Sequence, residues 1–477
     1  MKILLLNPPN LEELALNKDS EKDLGFQPLP VGLLLIYKAI AMKGYNVDIE
    51  NLFEEKFSSW DSIEQYIKDA PKYDFIGITC SSRQRFSICR LITICGKFQP
   101  QADLILGGPH ATYLQYAFFE RFSEVNCVIL GEGEDAVVEY IKMKQNGAEY
   151  STPGISFRSS NGNVHYSNIF RRTNEINSII PFYNVKHYLD DFLRVADLQM
   201  HLKTREEQGA HQTKYSKMMA PIICSRGCTG NCFFCSNGSY FNSSQRYYDI
   251  NIVFEELKYY YEKGIRMFDF YDDNLTHDNR FVFDLCRKII ENGMNDINWW
   301  CSSRVNEVNP ELLTIMKKAG CFKISYGVES GSIKILNRIN KKITVEQIRY
   351  AFEQTKKVGI LARATISFGH VGENWVTIQE TIDILNEIKP DNIGFFIMKI
   401  YPGTPLYCYC CENKYIDDNY WFDSKQDLVP FFTYETSLET LRAYREFMID
   451  KLAAVEKSND GGDINAGSIH LGVKWSE

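Results

Sequence analysis

No apolar run in the sequence approaches the roughly 18 residues that a membrane-spanning helix requires, which argues against a membrane span. The opening stretch Met1-Lys2-Ile3-Leu4-Leu5-Leu6-Asn7-Pro8-Pro9 is too short for an export signal and is stopped by prolines, so a cytoplasmic protein is expected. A basic excess is also missing: 53 Lys and Arg stand against 61 Asp and Glu, for a formal net charge of -8. Such a balance lacks the electrostatic footprint of a nucleic-acid binder, and no nucleic-acid partner is expected. No G-x-G-x-x-G follows the first apolar stretch, which argues against a nicotinamide site. The chain also lacks internal repeats and low-complexity segments.

What is present is globular. At about 100–200 residues per domain, 477 residues suggest two to four units. Hydrophobic residues make up 44%, ample for sizeable cores. Cysteine is abundant, at 14. Without an export signal these should be thiols or metal ligands rather than disulfides. Cys80, Cys89, Cys95, Cys127, Cys286, Cys301 and Cys321 stand singly in apolar contexts and read as small core residues.

Over residues 1–150 short apolar strands alternate with helices. Strands are predicted at Lys2–Leu6, Asn46–Glu50, Phe75–Thr79, Asp103–Leu106 and Cys127–Leu130. Helical patterns fall at Gly32–Met42, Ser62–Lys68 and Ala136–Lys144, with another ending near Phe98. This alternation predicts a doubly wound, Rossmann-like parallel sheet, a class that binds ligands at the carboxyl ends of its strands. From 151 to 215 the alternation fades into a linker region with a hairpin signal around Asn161, Gly162 and Asn163. It returns over 216–410 as a run of βα units, which predicts a (β/α)6-type partial TIM barrel. Residues 411–477 are expected to form a small C-terminal extension with a flexible tail.

The densest chemistry lies in Cys224-Ser225-Arg226-Gly227-Cys228-Thr229-Gly230-Asn231-Cys232-Phe233-Phe234-Cys235. Spacings of three and two place the thiols of Cys228, Cys232 and Cys235 on one tight polar loop, suited to three corners of a cubane. A fourth iron without a protein ligand would then be open to a small molecule. The competing reading is a zinc site with Cys224 as fourth ligand. Zinc ligands usually come as two well-separated pairs, whereas these four lie within one short stretch.

Cys228-x3-Cys232-x2-Cys235, with Phe234 before the last cysteine, resembles the signature of the radical SAM superfamily. The resemblance implies a [4Fe–4S] cluster whose open iron binds S-adenosylmethionine (SAM), and reductive cleavage to a 5′-deoxyadenosyl radical. Further residues fit it. Asp269–Asp273 and Ser302-Ser303-Arg304 close the second and third predicted barrel strands. Gly327-Val328-Glu329-Ser330-Gly331 is similar to the family's G-x-E-S-G turn, and Phe368–Glu373 resembles its glycine-rich turn. By this resemblance Glu329, Ser303 and Arg363 would hold the SAM ribose, amine and carboxylate. Phe234 and Gly369 would lie against the cofactor. The alternative is structural: a helix cap at Ser330 and an ordinary ion pair for Arg363.

The first sheet offers Pro30 before its first helix, Ser81-Ser82-Arg83, Gly107-Gly108-Pro109-His110 and Glu132-Gly133-Glu134. Together these resemble the cobalamin-binding domain of the B12-dependent radical SAM subfamily, and the likeness covers about residues 1–410. Glycines there would let the backbone approach a bulky corrin. The Asp-x-His-x-x-Gly motif whose histidine ligates cobalt is missing, so His110 is expected to contact the nucleotide tail or to pack. The alternative is a degenerate sheet that binds nothing.

The resemblance implies a cobalamin-dependent radical SAM methyltransferase acting on an unactivated carbon of a small-molecule or peptide substrate. A flavodoxin or ferredoxin would serve as electron donor. Two alternatives remain: a radical cyclase or rearranging enzyme with cobalamin but no methyl transfer, and a non-catalytic cobalamin- or zinc-binding protein. Cys408, Cys410 and Cys411 fit a second cluster poorly and read as core or surface thiols.

Overall fold

The structure, a computed structural model, describes residues 1–9, 11, 31–53, 55–173, 175–178, 219–423, 426, 429–452 and 468–472. The described residues within Met1–Phe182 and Tyr401–Pro430 form one compact unit. Those within Tyr183–Ile400 and Phe431–Glu477 form a second.

The first unit contains β1 (Lys2–Asn7), β2 (Asn46–Asn51), β3 (Phe75–Thr79), β4 (Asp103–Gly107), β5 (Val125–Ile129), β6 (Ile155–Arg158) and β7 (Val164–His165). They join one sheet in the order β2-β1-β3-β4-β5-β6-β7. β1 to β5 pair in parallel, and β6 and β7 add an antiparallel hairpin at one edge. Ile3, Leu4, Leu5 and Leu6 are at most 2% exposed. Such unbroken burial marks a strand covered on both faces, as a parallel sheet with helices on either side requires. Each buried leucine contributes about 1.5–3 kcal/mol.

Helices Val31–Ala41 and Glu134–Gln145 pack with Ile3, Leu5, Phe75, Ile105, Cys127 and Ile155 into a single core. The helix Trp60–Asp69 starts at a capping box in which Ser59 and Ser62 satisfy each other's amides. Strand order reverses direction at β1, so the crevice beyond the ends of β1 and β3 is this sheet's switch point.

Two boundaries differ from the sequence expectation. Residues 155–165 are not linker, because β6 pairs directly with β5 and extends the first sheet. Residues 401–430 group with the first unit rather than with the barrel or a separate extension. The fully buried Arg85 explains part of this, since it donates to the carbonyls of Tyr420 (2.6 Å) and Gln426 (3.0 Å). Most of the expected linker, residues 179–218, lies outside the described residues.

The second unit contains β8 (Met219–Ile222), a hairpin of β9 (Ser225–Gly227) and β10 (Gln245–Tyr247), then β11 (Met267–Phe270), β12 (Asn298–Ser303), β13 (Cys321–Glu329), β14 (Leu361–Phe368), β15 (Asn392–Ile397) and β16 (Ser468–Gly472). Its main sheet runs β16-β15-β14-β13-β12-β11-β8. The pairs from β8 to β15 are parallel, with helices between strands, which is the expected partial barrel. Part of the expected flexible tail is a strand: β16 pairs antiparallel with β15. Residues 453–467 and 473–477, which include the rest of that tail, lie outside the described residues. In β12, Trp299, Cys301 and Ser303 are buried while Asn298, Trp300 and Ser302 are half-buried, so alternate residues face the covering helices and the concave side.

Candidate active site

β9 ends at Gly227, whose φ is +86°. A Cβ there would lie 2.3 Å from the Ser244 carbonyl oxygen, so only glycine allows the chain to pass β10 and open into the cysteine loop. The loop's base is held by Asp272, which accepts from the Cys224 amide (3.1 Å) and from the Ser225 hydroxyl. Its far side is held by residues 339–341. The Phe233 amide donates to the Ile339 carbonyl (2.9 Å), and the Asn340 side chain donates to the Asn231 carbonyl (2.8 Å).

Cys228, Cys232 and Cys235 share this loop. The Gly230 amide lies 3.3 Å from Cys228 Sγ, and Arg304 Nη1 lies 3.9 Å from Cys232 Sγ. Burial pushes the Cys235 thiol up to about 12, against the opposing effect of the Asn237 amide. Burial raises the Cys228 thiol as well. The free thiols of Cys228 and Cys235 stay protonated at neutral pH, and metal ligation would release their protons to solvent. Among the described residues no three His, Cys, Asp or Glu side chains are arranged to hold one ion. A cubane does not need that arrangement, because each thiolate meets its own iron. Thiols on a polar loop, with an amide and a guanidinium at the sulfurs, fit an iron–sulfur cluster. Cys224 is set apart: it is fully buried, and its thiol is pushed up by burial and by Asp272.

The loop connects to the ends of β12, β13 and β14. Arg304, just after β12, donates through Nη2 to the Lys341 carbonyl. Lys341 Nζ is 2.7 Å from Glu329 Oε1, and both side chains are under 10% exposed. Ser367 Oγ donates to Glu329 Oε2 (2.8 Å) and lies 2.9 Å from His370 Nε2. The His370 ring meets the Phe234 ring at a centroid distance of 5.7 Å. Phe234, Glu329 and the Gly369 turn thus share one neighbourhood. Burial alone would raise the Glu329 carboxyl, but Lys341 and the donated hydrogen bonds bring it below the usual glutamate range. Burial brings His370 down to about 4, so its ring is neutral and Nε2–H can donate to Ser367. Glu373 clamps the turn by accepting from the amides of Gly369 and His370.

The other two expected SAM ligands lie on β12 and β14. Ser303 is 4% exposed, and its hydroxyl pairs with Thr276 and donates to the Arg304 carbonyl (3.0 Å). Arg363 precedes Ser367 by four residues on β14, about 13 Å along the strand, in register with Ser325 and Asn392. Sequence reasoning did not single out Lys341 or Ser367, and it met Arg304 and His370 only as members of strand-end motifs, without a role of their own. The positive φ values of Asn340 (52°) and Lys342 (54°) bracket Lys341, yet neither is a glycine that would have flagged the turn.

In the first unit, Ser81 donates to Gln84 Oε1 (2.7 Å), and Gln84 donates to the Pro8 carbonyl (2.6 Å), bridging the ends of β1 and β3. The position a Gly107 Cβ would take is open for at least 4 Å, a cradle suited to a bulky ligand. Gly108 (φ +93°) instead passes close to the Cys80 carbonyl and leads into Pro109, which starts the helix Pro109–Tyr113. Arg83 is exposed.

His110 is 1% exposed, bonded to Ser82 (3.0 Å) and edge-on to Trp421 and Phe118. Its ring is enclosed by this chain, so it packs, and its hydrogen bond reaches outward only through Ser82. Glu132 and Glu134 also turn inward: both accept from Thr173, at its amide (2.7 Å) and hydroxyl (2.8 Å). Gly133 leaves room for Ile36. These three therefore secure the chain and the helix packing. Pro30 lies outside the described residues.

Residues 222–385 match the model of the radical SAM superfamily, and residues 22–141 match that of the B12 binding domain. The chain belongs to the B12-binding radical SAM enzymes. An uncharacterized methyltransferase of Pyrococcus horikoshii is 28% identical, over 94% of this chain and 93% of its own length. Cytidylyl-2-hydroxyethylphosphonate methyltransferase of Streptomyces wedmorensis is 24% identical, over 87% of this chain and 83% of its own. The fold resembles that of the radical SAM methyltransferase TsrM from Kitasatospora setae, solved with cobalamin and a [4Fe–4S] cluster bound. That likeness has a TM-score of 0.66 at 16% identity and covers 86% of this chain and 78% of the other. Membership of these B12-binding radical SAM enzymes implies a [4Fe–4S] cluster, SAM and cobalamin as cofactors. Among the described residues no helix is long and apolar enough to cross a membrane.

Proposed function

We propose that this enzyme transfers a methyl group from SAM to an unactivated carbon of a small-molecule or peptide substrate. The observation that carries the reading is the Cys228–Cys232–Cys235 loop clamped to the Lys341–Glu329–Ser367–His370 network, in one chain with a B12-binding domain. When bound, the cluster and SAM supply an adenosyl radical, and cobalamin supplies the methyl carrier. The protein's part is to hold and orient. Cys228, Cys232 and Cys235 anchor three irons. Lys341 keeps the buried Glu329 ionised, where an anion can fix a cationic or hydroxylic group of SAM. Ser367, oriented by His370, aims that carboxylate. Phe234 and Gly369 line the same turn. In the first unit, Gly107 opens the space for the corrin's tail and Ser81 and Ser82 border it. The electron comes from a flavodoxin or ferredoxin.

The test is anaerobic reconstitution with iron, sulfide and hydroxocobalamin, followed by assay of bound cobalt and reductant-dependent SAM products. Bound cobalt with both 5′-deoxyadenosine and S-adenosylhomocysteine is the expected result. Deoxyadenosine without S-adenosylhomocysteine would sink methyl transfer and point to cyclisation or rearrangement.

A further inference from the structure

Arg304 occupies a position that the cofactor assignments above do not use. Its guanidinium makes two contacts from one side chain. Nη1 lies 3.9 Å from Cys232 Sγ, while Nη2 donates to the Lys341 carbonyl. The backbone around it is fixed: the Arg304 amide donates to Asn274 Oδ1 (3.2 Å), and Asn274 is itself bonded to Glu307. Gly230 keeps the approach clear, since a Cβ there would lie 3.3 Å from Nη1. A guanidinium carries a permanent positive charge and a rigid fork of donors, so one group can serve two acceptors without losing its charge.

We propose that Arg304 is a positioning and tuning residue for the cluster. Its charge beside the Cys232 sulfur stabilises the reduced, more negative state of the cluster, and its second donor locks the 339–341 turn that carries Lys341 to Glu329. The proposal rests on the assignment of Cys228, Cys232 and Cys235 as cluster ligands. Charge and hydrogen bonds at the sulfurs are established levers on cluster potential. Removing the charge makes the cluster harder to reduce, so its midpoint moves to more negative values. The lever acts on the electron's entry, before any substrate is chosen.

The test uses the full-length protein, reconstituted anaerobically with iron and sulfide, as wild type, Arg304→Gln and Arg304→Lys. Iron and sulfide content are measured, and the cluster is titrated potentiometrically with electron paramagnetic resonance detection. The expected result is a more negative midpoint in Arg304→Gln at wild-type iron content. Arg304→Lys, which keeps the charge but not the fork, stays near the wild-type midpoint. A wild-type midpoint in Arg304→Gln overturns the proposal, as does an equal negative shift in both variants. If Arg304→Gln does not load, the lysine variant decides: a loaded cluster at the wild-type midpoint supports the proposal, and a large negative shift overturns it. A wild-type protein that takes up iron without any cluster signal fails differently, because it removes the cluster assignment itself.

Discussion

The two units place glutamates at strand ends in the same kind of glycine-rich turn, yet use them differently. After β5, Glu132 and Glu134 both accept hydrogen bonds from Thr173, closing the chain on itself. At the end of β13, Glu329 sits at φ +64°, a left-handed conformation that costs a non-glycine residue about 1 kcal/mol or more. It is held there by Lys341 and Ser367. In the first turn the carboxylates satisfy donors that would otherwise be buried and orphaned. In the second, a strained backbone and a paired charge aim a carboxylate near a cluster loop. A turn motif alone does not separate these uses; the donors around each carboxylate do.

The largest effect expected concerns the loop that makes the second turn meaningful. Cys232→Ser should lose the cluster, and 5′-deoxyadenosine formation should fall to background in a reductant-dependent SAM assay. Near-normal product from this variant would strip the Glu329 turn of its catalytic neighbour. Next, Glu329→Gln should lower SAM cleavage by about 10–100-fold with iron content intact, the range seen when groups supporting a metal centre are removed. A variant that cleaves SAM normally would place Glu329 with Glu132, as a structural residue.

Removing the partner instead of the carboxylate gives a stability effect with a pH signature. Lys341→Ala leaves an unpaired buried carboxylate and should cost about 3–5 kcal/mol. Glu329 lies below its ordinary range when folded, so in the wild type its stabilisation is present above that range and is lost as pH falls through the folded value. In Lys341→Ala the main group opposing burial is gone, leaving the Ser367 hydrogen bond and His370, so the folded value rises. The gap between wild type and variant in thermal melts should therefore be widest near neutral pH and narrow as pH drops. A gap that does not change with pH would show that the ion pair is not its source. The first-unit counterpart is milder. Glu132→Ala orphans the buried Thr173 amide and should cost about 1–3 kcal/mol, with bound cobalt and SAM cleavage unchanged.

Much of this architecture is legible in the sequence because it is written in short range. Strands such as Lys2–Leu6 announce themselves by unbroken apolarity, and the βα alternation predicts both sheets. Cys228, Cys232 and Cys235 are readable because their spacing is local. What escapes is set by long-range partnership. Glu132 and Glu134 look like a ligand loop until Thr173, 41 and 39 residues away, is seen to occupy them. Lys341 and Ser367 gain meaning only from their approach to Glu329. Arg85 shows the same limit: it anchors a segment 335 residues further on, which no periodicity reveals.

The smallest effect separates used from unused side chains within the cysteine stretch itself. Cys224 is fully buried before the loop, its amide given to Asp272 and its thiol raised by burial. A zinc site would need it as fourth ligand, whereas a cluster with an open iron would not. Cys224→Ala removes one buried sulfur and should cost about 1 kcal/mol through the small cavity it leaves. Iron content and deoxyadenosine yield should match the wild type once the protein is folded. Loss of metal from this variant, measured by elemental analysis after anaerobic purification, would revive the four-thiol site and make the open iron untenable. Unchanged iron would leave Cys224 as part of the wall against which β8 and β9 pack, and would confine the redox chemistry to the three thiols beyond Gly227.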